Sequence, residues 1–339
     1  MLNKNRAKFI AIAIGGITLG IIGSSLRDDN IVQAQLKPKV VASHSVICDL
    51  AEAIAENTID LTCLIDGDRD PHSYRPTPSQ RKAIEEAQLI LHGGYQLEPK
   101  ITDLLQSTDK KISKIALYEQ VVAEPIMAEH EHESEPSRFE VHRAREHEAE
   151  AESSQPELAP DPHVWHNVEN TVAMVEFLRS LFLQANPSEA ELYLSNTTAL
   201  TEQLWQLDAW IKDRIATIPE GQKVLVTSHD SLNYYVRAYN LEDYITLQGL
   251  NADSPTASRV KELAAEIQQA GVPTIFTEST KSDRVINNVA RTADVELSPE
   301  KLYVDGIGAA DNYIQMMSHN TCAIVNGLEG ECEPFVWEN

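Results

Sequence analysis

Basic residues are scarce in this sequence. Its 339 residues include 28 Lys and Arg against 52 Asp and Glu, which gives a formal net charge of −24. A surface with this excess of negative charge repels nucleic acids and anionic membranes, so we expect no nucleic-acid partner. The same field attracts cations, although solubility alone also explains an acidic surface.

Long apolar runs are also lacking. The one candidate, FIAIAIGGITLGIIG (9–23), is short and rich in Gly, and it follows a positively charged start. With the small residues that end at Ala34, this is the pattern of a signal peptide, so we predict export to the periplasm and cleavage after Ala34 (signal peptide 1–34). An uncleaved membrane anchor is the alternative. No Cys closely follows the apolar run, which argues against a lipid-anchored lipoprotein.

Cysteines are few, and their spacing does not resemble a zinc knuckle, so thiolate metal ligation is not expected. In an oxidising compartment an even number of cysteines suggests disulfides. Four cysteines allow three pairings, and the sequence does not choose among them. We favour the two pairings that stay within one half of the chain, Cys48–Cys63 and Cys322–Cys332.

Short apolar segments alternate with amphipathic helical segments on both sides of the middle of the chain. This alternation predicts an α/β fold with two lobes of parallel-sheet units, one at 35–187 and one at 219–339. The predicted strands are KVVAS (39–43), IDLTCLI (59–65), QLILHG (88–93), KVLVTS (223–228), YITLQ (244–248) and TIFTES (274–279).

One long helix is predicted between the lobes, at 188–218. Ser188 and Glu191 fit a capping box, Leu and Ile then recur every three or four residues, and no Gly or Pro intervenes before Pro219. About 30 helical residues make a rod of roughly 45 Å, which would join the lobes rigidly and allow only a small movement between them. The alternative is a long packing helix inside one large domain.

Residues 129–152 break the globular pattern, because they contain nine Glu and almost no apolar side chains. Such a segment cannot bury enough surface to order itself, so we predict a flexible loop. Histidines and glutamates on a flexible loop can capture divalent cations weakly, while plain solvation is the alternative. The histidines concerned are His130, His132, His142 and His147.

The tripeptide Asp-Pro-His occurs twice, ending at His72 and at His163. Proline fixes the backbone before each imidazole and reduces the entropy that ordering it costs. His229 and Asp305 each follow a predicted strand. Ligands of open parallel sheets bind outside the carboxyl ends of the strands, where these four side chains should meet.

Three imidazoles and one carboxylate suit a tetrahedral zinc ion, although any single loop His is more often an ordinary surface residue. A ligating His needs a partner for its other ring nitrogen, and Glu278 is the candidate carboxylate. His44 and His166 are further candidate ligands. His92 lies inside an apolar strand and is expected to line the core.

Seven segments together resemble one known family, and they occur in the order found in that family. They are DPHSYRPTPSQ (70–80), LHGGYQLEP (91–99), DPHVW (161–165), VLVTSHDSLNYYVRAYNL (224–241), PTIFTESTKSDRVINNVA (273–290), and LYVDGIG with NYIQMM (302–317). The chain is similar to the solute-binding proteins of metal-uptake ABC transporters (cluster A-I). The resemblance implies two α/β lobes joined by a rigid helix, with a metal ion held between them. It also implies delivery of that metal to a membrane permease, and we expect a monomer.

The resemblance implies ligands at His72, His163, His229 and Asp305. Zinc-type members carry His at the position of His229, whereas manganese-type members tend to carry Glu, so we expect Zn²⁺, with Mn²⁺ or iron as the alternative. The affinity should fall as the pH drops through about 6.5.

A secreted zinc hydrolase is not expected. Catalytic zinc usually keeps a position open for water, and the chain has no His-Glu-x-x-His. A structural or adhesive surface protein with incidental metal is the remaining alternative.

Overall fold

The computed structural model describes residues 37–109, 111–130, 157–250 and 257–337. The predicted signal peptide and the predicted metal capture by His132, His142 and His147 lie outside the described residues. His130 ends a strand, but the prediction for its side chain also lies outside what is described.

The first half of the chain builds a four-stranded parallel sheet in the order β2-β1-β3-β4. The central strand β1 is almost inaccessible to solvent after Lys39, as expected for a parallel strand that is covered on both faces. The elements of this half are β1 (Lys39–Ala42), α1 (Ser45–Ala55), β2 (Asp60–Cys63), α2 (Pro78–Glu86), β3 (Leu89–His92), α3 (Pro99–Ser107), β4 (Ser113–Ala116), α4 (Leu117–Val121), β5 (Met127–His130), β6 (Glu157–Pro160) and α5 (Val168–Ala185).

The antiparallel pair β5–β6 contains Glu129 and His130, so the first two residues of the acidic segment predicted to be a flexible loop (129–152) are paired instead. The pair leads into the second Asp-Pro-His turn. Met127 pairs with Pro160, and beyond the ladder the N–H of Asp161 donates to the carbonyl of Ile126 at 2.8 Å. The N–H of Ile126 donates in turn to the hydroxyl of Tyr234 at 3.0 Å. The chain segment that precedes His163 is therefore anchored on both sides.

The second half contains two parallel strand pairs, β7–β8 and β9–β10. The N–H of Phe276 donates to Val226 O at 2.9 Å, which places β9 beside β7. After the long helix α6 (Ala190–Ile215), the elements are β7 (Val224–His229), α7 (Asn233–Ala238), β8 (Asp243–Gln248), α8 (Ala257–Ala270), β9 (Thr274–Ile275), α9 (Asp283–Ala293), β10 (Glu296–Leu297) and α10 (Tyr313–Gly327).

Two strands predicted in this half are shorter than expected. The predicted strand at 274–279 is regular only over β9, and the predicted strand before Asp305 is reduced to an isolated bridge between Glu278 and Leu302. Irregular backbone follows β9 and Leu302, and this backbone carries side chains toward the candidate site instead of extending the ladder.

The long helix exists, but its start differs from the prediction. Ser188 lies in a short 3₁₀ turn and donates to the side chain of Asn186 at 2.6 Å, so the predicted capping box does not form. Helix α6 has 26 residues and is roughly 39 Å long. It packs against α1 and α5 of the first half and against α10 of the second. The predicted lobe boundaries themselves stay predictions.

Both predicted disulfides, Cys48–Cys63 and Cys322–Cys332, are present. The first joins α1 to the end of β2, and the second joins α10 to the segment after it. Among the described helices, none combines the length and the apolar character that crossing a membrane requires.

Candidate metal centre

Four side chains from distant parts of the chain meet at one point. His72 lies in the loop between β2 and α2, His163 lies in the segment between β6 and α5, and His229 is the last residue of β7. Asp305 follows the bridge at Leu302. One ligand atom from each residue lies within 4.8 Å of the others.

The loop that carries His72 is fixed at its far end by α2. Thr77 and Gln80 form a capping box there, with Pro78 at the start of the helix. The Tyr74 hydroxyl bonds to Leu64 O at 2.7 Å, which ties the middle of the loop back to the residue after β2. The sequence thus determines a stiff loop around His72.

Four of the six separations within the cluster are close to the edge length of a coordination tetrahedron. Nε2 of His72 is 3.3 Å from Nε2 of His163. Asp305 Oδ1 lies 3.4, 3.5 and 3.3 Å from Nε2 of His72, His163 and His229 respectively. A tetrahedron whose centre is about 2.1 Å from each vertex has edges of about 3.4 Å, and about 2.1 Å is a zinc–ligand distance.

Three of the four residues are inaccessible to solvent. His163 and His229 are 0% exposed and Asp305 is 1% exposed, whereas 9% of the His72 side chain remains exposed. Among the described side chains, His229 Nε2 and Asp305 Oδ1 are buried atoms that make no hydrogen bond, and they lie 3.3 Å from each other. Buried polar atoms rarely remain unsatisfied, and a metal ion between these two atoms would satisfy both.

A carboxylate orients the His163 ring. Asp161 Oδ1 is 2.8 Å from His163 Nδ1 and also accepts the His163 N–H at 2.9 Å, while Asn233 donates to Asp161 Oδ2 at 3.0 Å. Burial alone lowers the pKa of His163, but Asp161 and Asp305 raise it above its usual value overall. The Nδ1–H of His163 points at Asp161, which leaves Nε2 for the centre.

Glu278 does the same for His229. Its Oε2 is 2.5 Å from His229 Nδ1, and its Oε1 accepts the backbone N–H groups of Ser228 and His229 at 2.9 and 3.0 Å. Burial lowers the pKa of His229, but Glu278 and Asp305 outweigh burial and raise it to about 10. In the metal-free protein this imidazole therefore holds a proton that a metal ion must displace.

Asp305 is surrounded by positive charge. Its Oδ2 accepts from Lys281 Nζ at 3.0 Å and from Thr280 Oγ1 at 2.5 Å. Burial raises the pKa of this carboxyl, but Lys281 and His229 lower it well below its usual value, so Asp305 is ionised. By contrast, burial lowers the pKa of His72.

His44 and His166 lie behind the cluster and brace its backbone. His44 Nε2 donates to the carbonyl of Asp305 at 3.0 Å, so its Nδ1 accepts from Tyr118 in the neutral ring. His166 Nε2 donates to Val304 O at 2.9 Å. Burial lowers their pKa values to about 4 and about 3 respectively, so both rings are neutral. Neither belongs to the group of four.

His92 is also outside this group. It ends β3, is half-buried, and has a pKa that burial lowers.

The sequence did not reveal the contacts of Lys281 and Thr280 with the site, because nothing in TESTKSD (277–283) indicates a lysine with little solvent exposure. It also missed the role of Asp161, although that residue was visible as the first member of Asp-Pro-His.

The fold and the cluster define a class of α/β proteins in which three histidines and a carboxylate meet in a group that could hold a metal ion. Residues 40–327 match the family described as "Zinc-uptake complex component A periplasmic" (ZnuA). The chain belongs to this family, whose members are substrate-binding proteins of metal ABC transporters and are not enzymes.

The chain is similar to the "Manganese-binding lipoprotein MntA" of Halalkalibacterium halodurans, with 27% identity covering 86% of this chain and 88% of that protein. It is also similar to the "Manganese ABC transporter substrate-binding lipoprotein PsaA" of Streptococcus pneumoniae, with 27% identity covering 96% of this chain and 99% of that protein.

Among solved structures, the periplasmic zinc-binding protein TroA of Treponema pallidum superimposes with a TM-score of 0.73. The two chains are 26% identical, and the match covers 86% of this chain and 99% of TroA. This similarity agrees with the α/β fold of parallel sheets and a long helix.

Proposed function

We propose that this chain is a periplasmic zinc-binding protein that delivers Zn²⁺ to the permease of an ABC transporter. Its ligands are His72, His163, His229 and Asp305. The observation that carries the proposal is the set of 3.3–3.5 Å separations between three imidazole nitrogens and one carboxylate oxygen. Zinc accepts four such ligands tetrahedrally, and imidazole is softer than the oxygen ligands that Mn²⁺ prefers.

The surrounding carboxylates complete the site. Asp161 and Glu278 each accept a hydrogen bond from the ring nitrogen that points away from the centre, which fixes the tautomer and strengthens the ligand.

The metal ion enters and leaves on the side of His72, whose side chain is the one ligand that keeps some exposure to solvent. An uptake protein must release its cargo, and one ligand at the rim provides a place where release begins.

Manganese is the second candidate cargo, because the relatives MntA and PsaA are named as manganese-binding. The proposal for zinc depends on His229, where a carboxylate would give a harder site. A His229→Glu variant is therefore expected to gain affinity for Mn²⁺ relative to Zn²⁺. An unchanged ratio of the two affinities would show that position 229 does not determine the preference.

Titration calorimetry of the purified chain with Zn²⁺ and Mn²⁺ tests the proposal. The same titrations on a chain lacking residues 131–152 separate the four ligands from the acidic segment. We expect tight one-to-one Zn²⁺ binding that survives the deletion, with weaker Mn²⁺ binding. Tighter Mn²⁺ binding would assign the protein to manganese uptake, and no tight binding of either ion would refute a metal cargo.

A further inference from the structure

We propose that Lys281 and Thr280 restrict Asp305 to a single metal-binding oxygen and thereby select cations that accept four ligands. This inference rests on the proposed function, because it concerns the same four ligands. It assigns a selectivity role to two residues that are not ligands themselves.

The two oxygens of Asp305 have different surroundings. Oδ1 faces the three imidazoles at 3.3–3.5 Å and has no hydrogen-bond partner among the described residues. Oδ2 forms an ion pair with Lys281 Nζ and accepts a hydrogen bond from Thr280 Oγ1. A carboxylate that chelates through both oxygens would have to turn Oδ2 toward the centre and break both bonds. Asp305 is 1% exposed, so water cannot replace them easily.

Lys281 is itself fixed. Its side chain is 9% exposed, and Nζ also lies 3.0 Å from Asp70 Oδ2. The other oxygen of Asp70 accepts the N–H of His72 at 2.9 Å. The ammonium group therefore bridges the first Asp-Pro-His turn and Asp305, and it cannot leave Oδ2 without losing one of its two carboxylate partners in a largely buried site.

The consequence differs between metals. Zn²⁺ is satisfied by three imidazoles and one carboxylate oxygen. Mn²⁺ favours octahedral, oxygen-rich coordination, so it needs the second oxygen of Asp305 or bound water. Because Oδ2 is occupied and three of the ligands are buried, the site does not readily supply a fifth or sixth ligand.

The test compares the wild-type chain with Lys281→Met, Thr280→Val and the double variant. Each is loaded with Co²⁺, whose visible absorption is intense in four-coordinate sites and weak in six-coordinate sites, and the dissociation constants for Zn²⁺ and Mn²⁺ are measured in parallel. Lys301→Met is the matched control, because it removes one charge from a more exposed pair with Asp283. Lys281→Arg keeps the cation.

We expect an intense, four-coordinate Co²⁺ spectrum for the wild type, Lys301→Met and Lys281→Arg. The double variant should lose intensity, and its ratio of Mn²⁺ to Zn²⁺ dissociation constants should fall about 10-fold or more. Thr280→Val, which removes one hydroxyl, should shift both readouts in the same direction by less. This single variant keeps the test valid if the lysine variants fail to fold.

A weak, six-coordinate spectrum in the wild type would overturn the inference and leave a metal-binding function standing. So would a double variant with an unchanged spectrum and an unchanged ratio. If the wild-type chain bound no divalent cation tightly, the proposed function would fail first, and this inference with it.

Discussion

The two Asp-Pro-His turns have the same sequence and the same local geometry, but they hold their histidines differently. In both turns the Asp Oδ1 accepts the backbone N–H of the His at 2.9 Å. Asp161 also holds the Nδ1 of its own His163, whereas the second oxygen of Asp70 accepts from Lys281. His163 is 0% exposed, and the His72 side chain is 9% exposed.

The pKa values of the two histidines are therefore shifted in opposite directions. Both imidazoles are desolvated, but Asp161 and Asp305 raise the pKa of His163, while burial prevails and lowers the pKa of His72. A tripeptide thus encodes a turn, and the partners of its carboxylate determine how strongly the imidazole is oriented. His163 is held by its own turn, while the first turn is coupled through Lys281 to Asp305.

Removing either histidine should have the largest effect. His163→Ala and His72→Ala each delete a proposed ligand, so each should weaken Zn²⁺ binding by more than about 100-fold, and the double variant should abolish tight binding. Calorimetry or competition with a chelator measures this. His319→Ala is the control, because that ring bonds only to Lys301 O among its described hydrogen bonds. Nanomolar binding by the double variant would refute both ligand assignments.

Replacing the aspartate of each turn should lower the Zn²⁺ affinity by different amounts. Asp161→Asn removes the charge that orients His163, so we expect Zn²⁺ affinity to fall by about 10- to 100-fold. Asp70→Asn should cost less than about 10-fold, because the described bonds of Asp70 go to the backbone N–H of His72 and to Lys281 and not to an imidazole nitrogen. Equal losses in the two variants would show that the additional contact to His163 Nδ1 is unimportant for binding.

Proton release should distinguish the imidazoles by their pKa values. His229 has a pKa of about 10, so it remains protonated in the metal-free site well above pH 6.5, and Asp161 and Asp305 raise the pKa of His163 as well. Metal binding at pH 7.5 should release about one proton or more, and the affinity should keep rising up to about pH 10.

Calorimetry in buffers of different ionisation enthalpy counts these protons. The sign follows from competition: a raised pKa means that protons compete with the metal up to a higher pH, and the competition grows as the pH falls. Asp161→Asn should reduce the release, because His163 loses the charge that raises its pKa. An affinity that is constant above pH 6.5 would contradict this account.

Replacing the proline of either Asp-Pro-His turn should have the smallest effect of these substitutions. Pro71→Ala and Pro162→Ala leave every ligand in place and change mainly the entropy of the unfolded chain, so each should lower the free energy of unfolding by about 0.4–1 kcal/mol. Denaturant unfolding of the metal-free protein measures this. A larger loss at one turn would show that its backbone is strained without proline.

Much of the site could be predicted because parallel strands bring their carboxyl ends to one edge. His229 follows this rule directly, since it ends β7. Asp305 was assigned to a strand that proved to be an isolated bridge, yet it still reaches the cluster. The capping box at Ser188 was wrong, because a competing bond to Asn186 satisfies that hydroxyl locally. Short-range patterns do not reveal which of two nearby partners a side chain takes.

The sequence by itself determined the alternation of strands and helices, the two stiff turns, the acidic character and the residue types able to bind a soft divalent cation. These depend on local backbone preference and on composition. Only the tertiary structure decided which imidazoles meet a carboxylate and which, like His44 and His166, donate to backbone carbonyls. It also placed Lys281 between Asp70 and Asp305, which are distant from it in sequence. The physical reason is that hydrogen-bond partners and desolvation arise from long-range packing.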